Sequence, residues 1–499
     1  MSATSADVLR RELRVLQASG IDAWVERCDE AVRAAQRRGD GQAVAELSIL
    51  AAVGLDARGR LAAALERLDV GLRWVGAGTD AHAHLWLVRS GILGLAGQMT
   101  AAWDALARAD RVVRPLSPRA RLERRTYHTL VPAMALEPVA LENAQAVALD
   151  AQRAGFDWLA SGLVVWLIPW VAAHGFGAGA QPWIDWLRVI GERSGHPNRV
   201  RDAEAFARLL GADAQDPRSA PPPPSANNFA AWRVDLFELR HALLRAELDR
   251  AGERLGALER RIASMNPGFR DGSASFAAVL RAYSSLSIVG FAPPEARTLV
   301  SLPAWIAGAE AVAMAGARID AVRWRDALRA RIPDRVQTSL EWPASLVRVR
   351  GLLALRAGDS LEAARFLTAA AGRASNRHPS LEASLAALQL AEFRSPASSD
   401  GRRSVARARH HLHEAGVLTE VHVAAVRRAS AQRTPASTLT PRELEVLLAL
   451  EEGLTYRQIG ERLGMHWRTA QTHAYRVYRK LGASGRRAAV TEAHTREAI

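Results

Sequence analysis

Between His466 and Arg487 the chain places Arg468, Arg476, Arg479, Lys480, Arg486 and Arg487, and no carboxylate. Cations gathered without acids suit the holding of a polyanion. Each one that neutralises a phosphate releases condensed counterions, and no acid is present to repel the phosphate backbone. Read as a helix, the stretch sorts into faces. Ala470, Ala474, Val477 and Leu481 fall on one side, and Arg468, Thr472, Tyr475 and Arg479 fall opposite. Thr469, His473, Arg476 and Lys480 line one flank and Gln471 the other. A glutamine there has chemistry of its own, because its amide can pair with both N6 and N7 of adenine.

Such a helix has to be held by neighbours, and the preceding residues supply them. Thr440, Pro441 and Glu443 spell a capping box with proline at the first helical position, opening a helix that Gly453 ends. Thr455 is the next N-cap, and Ile459 and Leu463 mark the inner face of a short helix stopped at Gly464. The third helix is predicted from about His466 to Leu481. Two helices joined by a tight, glycine-containing turn make a helix-turn-helix.

From Leu439 to about Val490 the block resembles the C-terminal DNA-binding domain of the LuxR family of transcriptional regulators. Leu439-Thr440-Pro441-Arg442-Glu443, Glu445-Val446-Leu447, Gly453, Ile459, Leu463, Thr469, His473, Lys480-Leu481 and Arg486 stand where that family places those residue types. The resemblance implies a bacterial DNA-binding protein whose third helix enters the major groove. It also implies a fourth helix, about Arg486 to Ala493, that supports a homodimer. By the same resemblance Thr469, His473 and Lys480 grip phosphates and Gln471 reaches base edges, with Thr455, Tyr456, Arg468, Thr472 and Arg476 completing the contact set. The family's usual Ser-Asn pair is here Thr455-Tyr456, its helix-opening serine is His466, and its Thr-Val-Lys core is Thr469-Ala470-Gln471. Losing that lysine implies an altered sequence preference, with Arg468 supplying part of the missing charge.

The whole chain has 499 residues, room for roughly three to four domains. Its 66 basic and 52 acidic residues give a net charge of +14, and every cation but Lys480 is arginine. A P-loop requires a lysine in G-x-x-x-x-G-K-[ST], and protein kinases require one in V-A-I-K, so both chemistries are excluded. There is no G-x-S-x-G elbow and no H-E-x-x-H, and no enzyme or cofactor is expected. His410, His411 and His413 alternate with no cysteine and read as a solvated helix face, so no metal site is expected. Cys28 is alone, which points to a reduced cytoplasm, and Met1 to Glu12 lacks the apolar core of a secretory signal. Trp158 to Ile184 carries no charge, but Pro169 and the Gly175–Gly179 stretch interrupt it, so a buried helix is expected and not a membrane span.

Upstream of the block, Ala, Leu, Arg and Glu recur at helical spacing and strand signals are scarce. The expected class is all-α: a tetratricopeptide-like helical solenoid followed by the four-helix LuxR-type domain. Glycines with an alanine five residues on mark the expected turns: Gly59/Ala64, Gly97/Ala102, Gly252/Ala257, Gly316/Ala321, Gly358/Ala363 and Gly401/Ala406. The expected boundaries are a repeat region at 1–212, a proline-rich linker or loop at 213–228, and a second repeat region at 229–428. A linker at 429–437 and the DNA-binding domain at 438–499 complete the chain. Trp158, Trp166, Trp170, Trp183 and Trp186 crowd one stretch, as core filling or as an aromatic effector pocket. The resulting expectation is a regulator binding promoter DNA, with a protein or small-molecule effector at the repeats and RNA polymerase as a further partner. The rival is a scaffold whose basic tail binds nucleic acid nonspecifically.

Overall fold

Helical spacing along the chain becomes helix throughout the computed structural model. It describes residues 6, 8, 9, 12, 20–111, 116–175, 177–210, 228–284, 286–372, 380–394, 399–431, 439–481 and 483–495. Among the described residues there is no strand, and extended pairing is confined to an isolated bridge between Ile288 and Gly316. The all-α class is what forms.

Between Ile21 and Ala431 many successive helices pack as pairs joined by short turns. Examples are Gly41–Ala57 with Leu61–Trp74, Asp80–Leu95 with Met99–Asp110, Asn228–Leu244 with Leu248–Ala263, and Leu346–Ala357 with Ser360–Ala371. At Gly59, Gly97 and Gly358 the backbone is left-handed (φ 69°, 80° and 96°), and Ala64, Ala102 and Ala363 are fully buried. A residue without a Cβ ends one helix at no steric cost, and a small residue lets the next helix approach closely. Gly316 also separates two helices, Leu302–Ala315 and Arg318–Arg331, but in extended backbone at φ −75°.

Two of the six expected turns are not turns. Gly252 lies inside Leu248–Ala263 and Gly401 inside Ser399–Glu414. The turn ahead of Gly252 falls at Ala246, which adopts φ 57° without being glycine, and the buried residue five on is Ala251. The amides of Ala246 and Glu247 donate to Leu243 and Ala242 carbonyls (3.0 and 2.9 Å) and offset the roughly 1–2 kcal/mol of left-handed strain. Gly155 with Ala160 continues the same rhythm, which sequence reading passed over.

Early and late parts of the array are hydrogen-bonded to each other. The Asn266 amide donates to Asp56 Oδ1, Leu299 N donates to Met134 O (2.8 Å), and Gln337 N donates to Ala173 O (2.7 Å). One hydrophobic core runs from Leu130 to Ala429 and draws on residues either side of the proline-rich segment. That segment, 213–228, lies outside the described residues save for Asn228. The apolar helix Asp157–Ala173 is buried along most of its length within this core. Among the described residues no helix is long and apolar enough to cross a membrane.

Within the core lies a closed ionic cluster. Glu310 accepts from Arg240 Nη1 (2.9 Å), Arg348 Nη2 (2.6 Å) and Trp342 Nε1 (3.2 Å). Glu382 accepts from Arg240 Nη2 (2.6 Å) and Arg348 Nε (2.7 Å). Two guanidiniums thus balance two carboxylates, and although burial pushes the Glu310 carboxyl up, the two arginines hold it well below the usual range.

The last helix of the array, Thr419–Ala431, runs into the segment 429–437, whose remainder lies outside the described residues. Four helices follow: Pro441–Glu451, Tyr456–Leu463, Trp467–Leu481 and Arg486–Thr495. They enclose a separate small core of Leu439, Val446, Leu447, Leu450, Ile459, Ala470, Ala474, Val477, Leu481, Ala489 and Ala493.

Candidate nucleic-acid interface

Capping fixes where each of these helices begins. Thr440 Oγ1 accepts from Glu443 N (3.2 Å) while Glu443 Oε2 accepts from Thr440 N (2.6 Å). Thr455 and Gln458 form a second reciprocal box, the Gln458 side chain accepting from Thr455 N (2.8 Å). The Thr-x-x-Gln spacing carried that signal, and only its Thr455 half was read from the sequence. Between the second and third helices, Gly464 turns left-handed at φ 63°. A Cβ at Gly460 would meet Met465 O at 2.6 Å, so only glycine lets the chain fold back this tightly.

The third helix, Trp467–Leu481, keeps the faces expected of it. Ala470, Ala474, Val477 and Leu481 are buried, and Arg468, Thr472, Tyr475 and Arg479 are exposed. Thr469 and Arg476 are also exposed, and Gln471 and His473 are half-buried, His473 with its Nδ1 turned away from solvent. Thr455 is an exposed cap, whereas Tyr456 is half-buried with its hydroxyl 3.2 Å from that of Tyr478.

Lys480 has a partner the sequence did not disclose. Its Nζ donates to Glu443 Oε2 (2.6 Å), the carboxylate that closes the first capping box. Burial pushes Glu443 up, but the Lys480 ammonium and the Thr440 amide outweigh it and hold its carboxyl below the ordinary value. Arg486 is committed in a similar way, donating through Nε to Leu450 O (2.7 Å) at the end of the first helix. The cations left on the surface of the acid-free stretch are Arg468, Arg476, Arg479 and Arg487. Trp467 was passed over by the sequence reading and is 42% exposed, with the Arg468 guanidinium 5.3 Å from its ring centroid. An aromatic at the edge of an apolar stripe reads as core, which hid it.

A helix-turn-helix with a buried apolar face and an outward arginine face is thus assembled, and residues 437–493 match the family model for bacterial regulatory proteins of the luxR family. This segment is a LuxR-type helix-turn-helix domain. The chain is also 31% identical over 117 residues to the transcriptional regulatory protein LiaR of Bacillus subtilis (strain 168), an alignment covering 23% of this chain and 54% of that protein. It therefore spans about half the length of the curated relative it matches. No solved structure matches the chain. In the LuxR-type domain the fourth helix, Arg486–Thr495, packs on the first and third through Ala489 and Ala493.

The repeats hold a second candidate site, a cavity of about 410 Å³. Helices Gly41–Ala57, Asp80–Leu95, Pro118–Met134 and Asp157–Ala173 face it, with apolar residues such as Leu50, Ile92 and Leu130. Of the five tryptophans considered together, Trp158 and Trp166 line this cavity. Trp170 instead donates to Glu137 O (3.1 Å), Trp186 donates to Gln152 Oε1 (3.1 Å), and Trp183 packs beside Trp186 with ring centroids 5.8 Å apart. A run of tryptophans on consecutive helices cannot all face one way, so the cluster divides between cavity wall and core.

Proposed function

We propose that the chain is a sequence-specific, DNA-binding transcriptional regulator of the cytoplasm, with its helical repeats receiving a small-molecule or protein signal. The observation that carries this reading is the helix Trp467–Leu481, whose exposed arginines have no acid among them, set in a LuxR-type domain. Arg476 and Arg479 neutralise phosphates, fixing the helix in the major groove, and Gln471 and Arg468 reach base edges near its N-terminus. Thr469, Thr472 and His473 add polar contacts along the same surface. The helix Arg486–Thr495 pairs two copies on adjacent half-sites, and RNA polymerase is the partner that reads the occupied promoter. The 410 Å³ cavity supports the sensing role, since its size falls among ordinary ligand pockets.

Genome-wide crosslinking tests the reading. Discrete promoter peaks that vanish in the Arg468→Ala, Gln471→Ala double variant are expected. Diffuse signal from the unaltered chain would instead identify a scaffold with nonspecific nucleic-acid contacts.

A further inference from the structure

Polar side chains interrupt the apolar lining of the cavity in the repeats, and several of them already have partners. Thr126 Oγ1 donates to Leu122 O (2.9 Å), Ser161 Oγ donates to Trp158 O (3.1 Å), and Arg233 Nε donates to Glu341 (3.1 Å). The pair Arg199 and Asp202 differs. Arg199 Nη1 donates to Asp202 Oδ2 (3.0 Å), yet Arg199 Nε and Asp202 Oδ1 are buried with no hydrogen-bond partner among the described residues. Both residues line the cavity, and the Asp202 side chain is 1% exposed. A buried donor and a buried acceptor left without partners are costly unless something answers both.

Gly162 adds an independent observation. It sits mid-helix in Asp157–Ala173, where glycine weakens a helix, and it lines the cavity. A Cβ built there meets nothing within 4 Å, so packing does not require glycine at this position. Its effect is to leave the cavity wall open between Trp158 and Trp166.

We infer that this cavity binds one uncharged, largely aromatic molecule carrying an amide-like donor and acceptor side by side, read by Asp202 Oδ1 and Arg199 Nε. The inference deepens the sensing half of the proposed function and rests on it. An amide carbonyl accepts from Arg199 Nε while its N–H donates to Asp202 Oδ1. Because Arg199 and Asp202 already neutralise each other, a carboxylate meets the Asp202 charge and an ammonium meets the Arg199 charge. A plain hydrocarbon leaves both buried atoms unanswered. Trp158, Trp166, Tyr127 and Phe229 provide the aromatic wall.

The experiment titrates the full chain with 2-naphthamide, 2-naphthoate, 2-naphthylmethylammonium and 2-methylnaphthalene, by calorimetry and by quenching of tryptophan emission. The expected result is saturable binding of one 2-naphthamide per chain, with the other three at least tenfold weaker. Gly162→Leu should abolish 2-naphthamide binding while helicity and melting temperature are no lower than in the unaltered chain. Asp202→Ala should weaken it at least tenfold. No saturable binding of 2-naphthamide, a charged analogue binding as tightly, or unchanged binding in Gly162→Leu would overturn the inference. A promoter footprint by the same samples without probe keeps the two readings apart. An intact footprint beside absent probe binding counts against the cavity alone, and a lost footprint beside intact probe binding supports the cavity while counting against the DNA reading.

Discussion

In the repeats, Arg67 forks onto Asp29 (2.7 and 2.8 Å) and Arg240 and Arg348 are buried against Glu310 and Glu382, whereas in the helix Trp467–Leu481 the guanidiniums of Arg468, Arg476 and Arg479 face solvent. The two regions use the same residue type to opposite ends. In the array, arginine is a cross-helix tie that works because a carboxylate answers it. In the helix Trp467–Leu481 the absence of carboxylates leaves arginine available to an outside anion. The net charge of +14 therefore says less than the local ratio of cations to acids.

Removing one member of the buried cluster should break the comparison most visibly. Glu310→Ala leaves Arg240 and Arg348 short of a partner, and a loss of about 3–5 kcal/mol is expected in chemical denaturation followed by tryptophan emission. A loss no larger than that of an exposed ion pair would show that these arginines are not structural ties.

Asp56 provides a second break, within the array itself. It is buried with the Asn266 amide as its hydrogen-bond partner, and burial raises its carboxyl to about 7. The unfolded carboxyl titrates near ~4. The native chain thus holds a proton that the unfolded chain releases, so the contribution to stability is full below about pH 4 and is lost as pH rises through about 7. Melting temperatures of the unaltered chain should fall between pH 5 and pH 8 by more than those of Asp56→Asn, and parallel profiles would refute the assignment.

At the DNA face, Gln471→Ala should cost ~1–3 kcal/mol on the specific site and little on random DNA. Equal losses on both would remove Gln471 from base reading and leave it a backbone contact.

Most of the C-terminal domain was legible because its punctuation is local. Thr440 with Glu443, Gly453, Thr455 and Gly464 each mark a boundary within a few residues, and the spacing of Ala470, Ala474, Val477 and Leu481 marks the core. The partner of Lys480 was not legible, because Glu443 lies 37 residues away in sequence and is brought near only by packing of the third helix on the first. In the array the glycine signal worked at Gly59, Gly97 and Gly358 and failed where Ala246 took the left-handed turn, since backbone hydrogen bonds there outweigh the residue preference. The cavity was hidden for a related reason. Arg199 and Asp202 read as an ordinary pair three residues apart on a helix, and only the surrounding helices show which of their atoms lack a partner.

The most direct test of the contrast between committed and available cations is the salt dependence of affinity for a promoter fragment in Arg476→Ala, Arg479→Ala and Lys480→Ala. Each exposed arginine removed should lower the slope of log affinity against log salt by about 0.9. Lys480→Ala, losing a tie to Glu443, should lower the domain's melting temperature and leave the slope unchanged. A slope that falls with Lys480→Ala and holds with both arginine variants would contradict the account.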